Sequence, residues 1–111
     1  VQGAGWLTIE EVNWKSNGEL TTHSPSTYKI PAVNDMPEKF NVAIFKNLNK
    51  ENVVNKSKTT GEPPLMLAMS VFFAIKDAIA SVGNYTKTPE LNAPATPEAI
   101  LLSIMDLKSR L

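Results

Sequence analysis

Residues 61–82 read GEPPLMLAMSVFFAIKDAIASV, and this stretch decides the fold. It predicts a long helix that begins at Pro63 or Pro64, because a proline suits the first helical turn, where its missing N–H would have no partner. Gly83 and Asn84 supply the end of the helix. Apolar residues recur every three or four positions in two adjacent stripes, which predicts a helix buried on most sides. The first stripe is Leu65, Ala68, Phe72, Ile75, Ile79 and Val82, and the second is Leu67, Val71, Ala74 and Ala78.

Two further helices are predicted near the ends of the chain. Thr96, Pro97 and Glu98 combine a capping hydroxyl, a proline for the first helical position and an acidic group near the positive end of the helix dipole. A C-terminal helix therefore starts there, after a linker over residues 89–94. Residues 1 to about 11 favour a helix over a poorly alternating strand, although two glycines lower the helix propensity.

The remaining segments predict short strands, a hairpin and an irregular loop. Residues 40–45 alternate apolar and polar side chains as a strand does, and residues 53–54 suit a second, shorter strand. Asn17 and Gly18 favour a small hairpin, because both tolerate the positive φ of a tight turn. Three prolines between residues 23 and 39 exclude long regular elements and predict an extended, ordered loop. The predicted fold class is α+β, with two main helices, short strands and a proline-rich loop.

Composition excludes several classes of function. The 111 residues contain 11 basic and 11 acidic side chains, so the net charge of zero gives no electrostatic case for a nucleic-acid partner or an anionic membrane surface. Without cysteine, the chain has no disulfide scaffold, thiolate metal site or cysteine nucleophile. His23 is the single histidine, so a site of several histidines is excluded, and we expect an ordinary loop residue. Four polar residues interrupt the most apolar stretch, residues 65–82, which therefore predicts a buried helix rather than a membrane span.

The chain is expected to belong to a larger structure. Two good helices and a few short strands are a small set of elements for an independent domain, and an apolar helix needs partners on several sides. The sequence starts at Val1 without a methionine, a cationic cluster or a cleavage-site pattern, so a secretory signal is not expected. We expect this start to lie inside a longer reading frame.

Three motifs in matching order carry a resemblance to a known family. They are PSTYKIPA at residues 25–32, GEPPL at residues 61–65 and SVFFAIKDAI at residues 70–79, and the first residues VQG and the PATPE of residues 94–98 agree as well. The chain resembles the C-terminal part of the molybdopterin-binding subunit of xanthine dehydrogenases and aldehyde oxidases. The first and third motifs are closest to the xanthine dehydrogenase branch. Residues 1–88 then form the part near the cofactor, and residues 89–111 form a linker and a C-terminal helix.

The resemblance implies a molybdenum hydroxylase that adds water-derived oxygen to purines such as hypoxanthine and xanthine. In it Glu62 is the general base that takes the proton from the molybdenum-bound hydroxyl, while Gly61 and Gln2 are candidates for cofactor contact and no side chain of the chain ligates the metal. The resemblance also implies molybdopterin in the parent enzyme, with FAD and 2Fe-2S clusters on partner domains or subunits. The parent is expected to be cytoplasmic and oligomeric.

Three alternatives stay open at this point. The substrate could be an aldehyde, as in the other branch of the family. The chain alone could have only a packing role against the missing part of its subunit, so it is expected to be inactive and to bind no molybdopterin by itself. An acidic residue in the position of Glu62 could also serve only the helix dipole.

Overall fold

The computed structural model describes residues 1–111 and contains three α-helices: α1 (Gln2–Thr8), α2 (Pro63–Val82) and α3 (Pro97–Ser109). Single turns of 3₁₀ helix lie at Val33–Asp35 and Val54–Lys56. The helix α2 contacts both other helices, with α1 near its start and α3 near its end. The largest apolar core lies between α2, the linker and α3, and it is formed by Ile79, Leu91, Ala95 and Leu107.

The predicted bounds of α2 are confirmed. The helix begins at Pro63 and ends at Val82, and the N–H of Gly83 bonds to the carbonyl of Ala80. The prediction that α2 is buried on most sides is wrong for this chain, since Leu67 is 72% exposed and Phe73 is 55% exposed. Only α1 and α3 pack on α2, and they cover part of its circumference. The uncovered apolar surface agrees with the expectation that α2 needs partners beyond these residues.

By length and composition alone, α2 is apolar enough to cross a membrane. One such helix is weak evidence for a membrane span and does not contradict the prediction of a core helix. The core helix of a soluble protein passes the same test, because burial in protein and burial in lipid select the same side chains. The helix also carries Lys76 and Asp77, a charged pair of the kind that is costly at the centre of a bilayer.

The helix α3 begins as the sequence predicts. Thr96 has an extended backbone, and its hydroxyl accepts a hydrogen bond from the N–H of Ala99 at 3.2 Å. This bond satisfies one of the N–H groups that a helix start leaves without an intrahelical partner. Leu107 of α3 is completely buried against α2 and the linker, so the cap fixes where a core helix begins.

Replacing Thr96 by Ala is expected to lower the free energy of unfolding by about 1 kcal/mol, because the hydroxyl that caps Ala99 is lost. Urea unfolding followed by helical circular dichroism measures the change. Thr88→Ala is the matched control: Thr88 contributes its backbone carbonyl to Arg110 while its hydroxyl makes no hydrogen bond. Equal stability of the two variants would contradict the capping role.

The prediction of a helix rather than a strand at the start of the chain is confirmed by α1. The helix ends three residues earlier than predicted. Ile9 leaves the helical conformation, with φ −121° and ψ −14°. The N–H groups of Ile9 and Glu10 both bond to the carbonyl of Gly5 at 3.0 Å, which closes the helix and turns the chain outward. This early end lets the side chain of Glu10 fold back under the loop that follows.

Both predicted strands are wrong, whereas the predicted hairpin turn is confirmed. Residues 40–45 form no regular element, and Ile44 is 91% exposed. A strand needs a neighbour for its backbone hydrogen bonds, and this chain places none beside these residues. Residues 53–54 run into the 3₁₀ turn instead. At the hairpin, Gly18 takes φ +84° and Trp14 forms an isolated antiparallel bridge with Leu20.

Candidate functional site

Glu62 lies immediately before α2 as its N-cap residue. An extended backbone is the expectation for a residue before proline, because the proline ring disfavours the helical region there. The expectation is wrong: Glu62 is helical, with φ −83° and ψ −34°. The carbonyl of Glu62 accepts the N–H of Leu65 at 3.2 Å, so the first bond of the helix draws Glu62 into the helical conformation.

The carboxylate of Glu62 makes no hydrogen bond within the chain. A capping side chain accepts from the N–H of the second or third helical residue. Pro64, the second, has no N–H, and the N–H of Leu65, the third, already bonds to the backbone carbonyl of Glu62. Pro64, which has no N–H, and the backbone bond of Leu65 therefore remove the local partners that would make Glu62 a structural cap. Glu62 is exposed, and its carboxylate is left available to a group outside this chain.

A cleft of about 450 Å³ lies where the start of α1 meets the start of α2. Gln2 lines one wall, and Thr59, Thr60 and Pro63 line another. Gly61 and Glu62 connect Thr60 to Pro63 along the chain but do not line the cleft themselves. The structure thus brings Gln2 to the same cleft as the residues that flank Gly61 and Glu62.

Gly61 stands in open space. A Cβ atom added there would meet no heavy atom within 4 Å, and its φ is not in the left-handed region. Nothing in this chain therefore requires glycine at this position. The room at Gly61 suits the close approach of a group that the rest of the protein would hold.

The donor set of the cleft suits an organic cofactor rather than a metal ion. Gln2, Thr59 and Thr60 offer an amide and two hydroxyls, which can donate and accept hydrogen bonds. No group of three or more His, Asp or Glu side chains lies close enough to hold a metal. The cleft therefore offers hydrogen-bonding groups to an organic molecule and no cluster of metal-ligating side chains.

Sequence reasoning missed a contact between Glu10 and Tyr28. The hydroxyl of Tyr28, in the PSTYKIPA segment, donates a hydrogen bond to the carboxylate of Glu10, which is 8% exposed. The other carboxylate oxygen lies against Gly5, where an added Cβ would also come within 2.6 Å of the ring of Pro31. This contact fastens the proline-rich loop to the end of α1.

The hydrogen bond that the phenolic hydroxyl of Tyr28 donates to Glu10 raises the pKa of Tyr28 above its ordinary value of 10.0, and desolvation and repulsion of the phenolate by the carboxylate raise it further. When folding raises the pKa of a tyrosine, the protonated side chain stabilises the folded state at pH values below the pKa of the unfolded chain. This stabilisation is lost as the pH rises through the pKa of the folded chain. Docking of the loop on α1 is therefore expected to weaken above pH 10. A spectrophotometric titration of the Tyr85→Phe variant, which leaves Tyr28 as the single tyrosine, measures the midpoint.

The midpoint in Tyr85→Phe is expected above 10, and adding Glu10→Gln is expected to bring it back toward 10. Glu10→Gln keeps the size of the side chain and removes its charge, so it is a matched control for the cause of the shift. A midpoint at or below 10 with Glu10 in place would contradict the contact.

Comparison with known proteins decides the family. Residues 1–37 match the family model described as a molybdopterin cofactor-binding domain. The chain is 46% identical over 117 residues to the xanthine dehydrogenase/oxidase of Felis catus, with 100% of the chain and 9% of that protein covered. It is 45% identical over 109 residues to the xanthine dehydrogenase of Dictyostelium discoideum, with 96% of the chain and 8% of that protein covered. The chain belongs to the xanthine dehydrogenase family.

The resemblance found in the three motifs is therefore confirmed. The chain spans 8–9% of the length of these family members, so most of each relative has no counterpart in it. This difference in length agrees with the apolar surface that α2 leaves uncovered. Within the family, the matched model ties residues 1–37, and thus α1, Gln2 and the PSTYKIPA loop, to a domain that binds molybdopterin.

Proposed function

We propose that this chain is part of a cytoplasmic molybdenum hydroxylase that oxidises purines such as hypoxanthine and xanthine with oxygen from water. The observation that carries the proposal is the identity of 41–46% with proteins named xanthine dehydrogenase or xanthine dehydrogenase/oxidase over almost the whole chain. The parent enzyme holds molybdopterin, receives FAD and 2Fe-2S clusters from partner domains or subunits, and assembles as an oligomer. The molybdenum cofactor, when bound, supplies the oxygen-transfer and two-electron chemistry that the side chains of this chain do not provide.

Glu62 acts as the general base in this proposal. A base must come within about 3 Å of the proton that it accepts, and its carboxylate must not be held by another partner. The carboxylate of Glu62 is exposed and unbonded, and it belongs to the residue before Pro63, which lines the cleft, so it meets the second condition. The helix behind it fixes its backbone, so the carboxylate approaches the attacking oxygen from a rigid element.

Gln2 and Gly61 assist by holding the cofactor. The amide of Gln2 lines the cleft and supplies hydrogen bonds to an organic cofactor, whereas Gly61 leaves the space for its approach. Residues 1–88 then form the part near the cofactor. Residues 89–111, with the core around Leu107, anchor the far end of α2.

The substrate class is tested by steady-state kinetics of the parent enzyme loaded with molybdenum. We expect kcat/KM for xanthine or hypoxanthine to exceed that for an aromatic aldehyde by at least about tenfold, since a site that hydrogen-bonds the polar groups of its substrate rejects molecules without them. A preference for the aldehyde would move the chain to the aldehyde oxidase branch. No turnover of either substrate would contradict the enzymatic proposal and leave the packing role of α2.

A further inference from the structure

A second cleft, of about 420 Å³, lies between α3 and the linker that precedes it. Its lining includes four acidic side chains and no basic one; the acidic residues are Glu11, Glu90, Glu98 and Asp106. Asp106 is already paired with Arg110, whose Nη2 lies 2.7 Å from the carboxylate. The other three carboxylates have no ion-pair partner within the chain, so the cleft is negatively charged.

The same cleft contains a polar atom without a partner. Ser103 lines it and is only 3% exposed, and its hydroxyl is the single buried side-chain polar atom in the chain that makes no hydrogen bond. Helical serines commonly return their hydroxyl to a carbonyl in the preceding turn. The other three serines of α2 and α3 do so at 2.7 Å, namely Ser70, Ser81 and Ser109. Among these four serines, Ser103 alone has a hydroxyl without a hydrogen-bond partner, and it belongs to a residue that lines the cleft.

The spacing of the acidic groups selects the kind of cation. No three of them lie close enough together to hold a metal ion. A guanidinium group is larger, carries a permanent charge and presents five N–H donors in one plane, so it can reach acceptors that stand apart. We propose that this cleft binds the guanidinium group of an arginine side chain. Glu90 and Glu98 pair with its charge, and the Ser103 hydroxyl accepts one of its N–H groups.

Titration of the full chain with the tripeptide Gly-Arg-Gly, followed by amide signals in two-dimensional NMR, tests the proposal. Saturable shifts are expected for residues 90–106, and the isosteric but neutral Gly-citrulline-Gly is expected to cause none. A parallel titration with guanidinium ion separates the two sources of the group. Weaker binding of the free ion assigns the cleft to an arginine within a polypeptide, whereas equal binding assigns it to small guanidine compounds.

Variants locate the binding in the cleft. Glu90→Gln and Glu98→Gln are each expected to weaken binding of Gly-Arg-Gly between about 1.4-fold and 5-fold, the range of exposed ion pairs. Ser103→Ala is expected to weaken it as well, with helical circular dichroism unchanged. Glu51→Gln, an exposed acidic residue outside the cleft, is the matched control and is expected to bind as the unaltered chain does.

Four outcomes of the binding measurements would overturn the proposal. They are the absence of saturable shifts, equal binding of the citrulline peptide, unchanged affinity in both glutamine variants of the cleft, and tighter binding of Ca²⁺ than of the arginine peptide. Undispersed amide signals from α3 would also overturn it, because the cleft exists only when α3 is folded against the linker. None of these results bears on Glu62, so the proposal stands or falls separately from the proposed function.

Discussion

Replacing Glu62 by Gln in the parent enzyme is expected to lower kcat for purine oxidation by about 10²–10⁴-fold, the usual contribution of a general base. Glutamine keeps the shape of the side chain and cannot accept the proton. The carboxylate of Glu62 makes no hydrogen bond in this chain, so the substitution breaks no structural contact here. Molybdenum content and thermal stability of the variant are therefore expected to equal those of the unaltered enzyme. Steady-state kinetics and metal analysis on the same preparation measure both quantities.

Glu51→Gln is the matched control for this experiment, because Glu51 is an exposed acidic residue in the loop before the cleft and stands outside the proposed site. We expect it to leave kcat unchanged. Turnover of Glu62→Gln within a few-fold of the unaltered enzyme would contradict the role of Glu62 as the base. A parallel loss of molybdenum would instead assign Glu62 to holding the cofactor.

Local signals in the sequence predicted the helices and the hairpin turn. Proline at the start of α2 and α3, the Thr96 cap and the Asn17-Gly18 turn act through a few neighbouring residues, so they are readable without the rest of the fold. The family could also be recognised from the sequence, because three separate motifs stand in the right order. The proposed site residues, which remain predictions, came from that resemblance rather than from any one motif.

Features that depend on residues far apart in the sequence could not be predicted from it. The alternation of residues 40–45 indicates a strand, but a strand forms only where another strand lies beside it, and this chain supplies none. The contact between Tyr28 and Glu10 joins residues 18 positions apart and leaves no local pattern. The availability of the Glu62 carboxylate was only half readable, since Pro64 lacks an N–H by residue type, whereas the bond between Leu65 and the Glu62 carbonyl is a feature of the fold.

Gly3 illustrates how a residue that weakens a helix can be required by packing. In isolation, glycine costs a helix about 0.5–1 kcal/mol relative to alanine. In the structure Gly3 is buried where α1 crosses the start of α2, and a Cβ atom added there would lie 2.6 Å from the backbone carbon of Pro64 and 2.8 Å from the Cβ of Ala68. Backbone atoms cannot rotate away as the end of a flexible side chain can. The glycine therefore permits the close approach of α1 to α2 that forms the cleft next to Glu62.

Gly3→Ala is accordingly expected to destabilise the chain, although alanine is the better helix former. Overpacking in a tight contact costs about 1–3 kcal/mol, which exceeds the gain in helix propensity. The midpoint of urea unfolding measures the net loss. In the parent enzyme the same variant is expected to lower molybdenum content, because α1 must move away from α2 and carry Gln2 from the wall of the cleft.

Gly61→Ala is the control for stability, since a Cβ there meets no atom of the chain within 4 Å. It is expected to be neutral or slightly stabilising, because alanine restricts the unfolded chain without a clash in the folded one. The two substitutions are chemically identical and differ only in what surrounds the new methyl group. Opposite effects on the urea midpoint would assign the loss in Gly3→Ala to the contact with Pro64, whereas equal effects would show that α1 does not pack on α2 through Gly3.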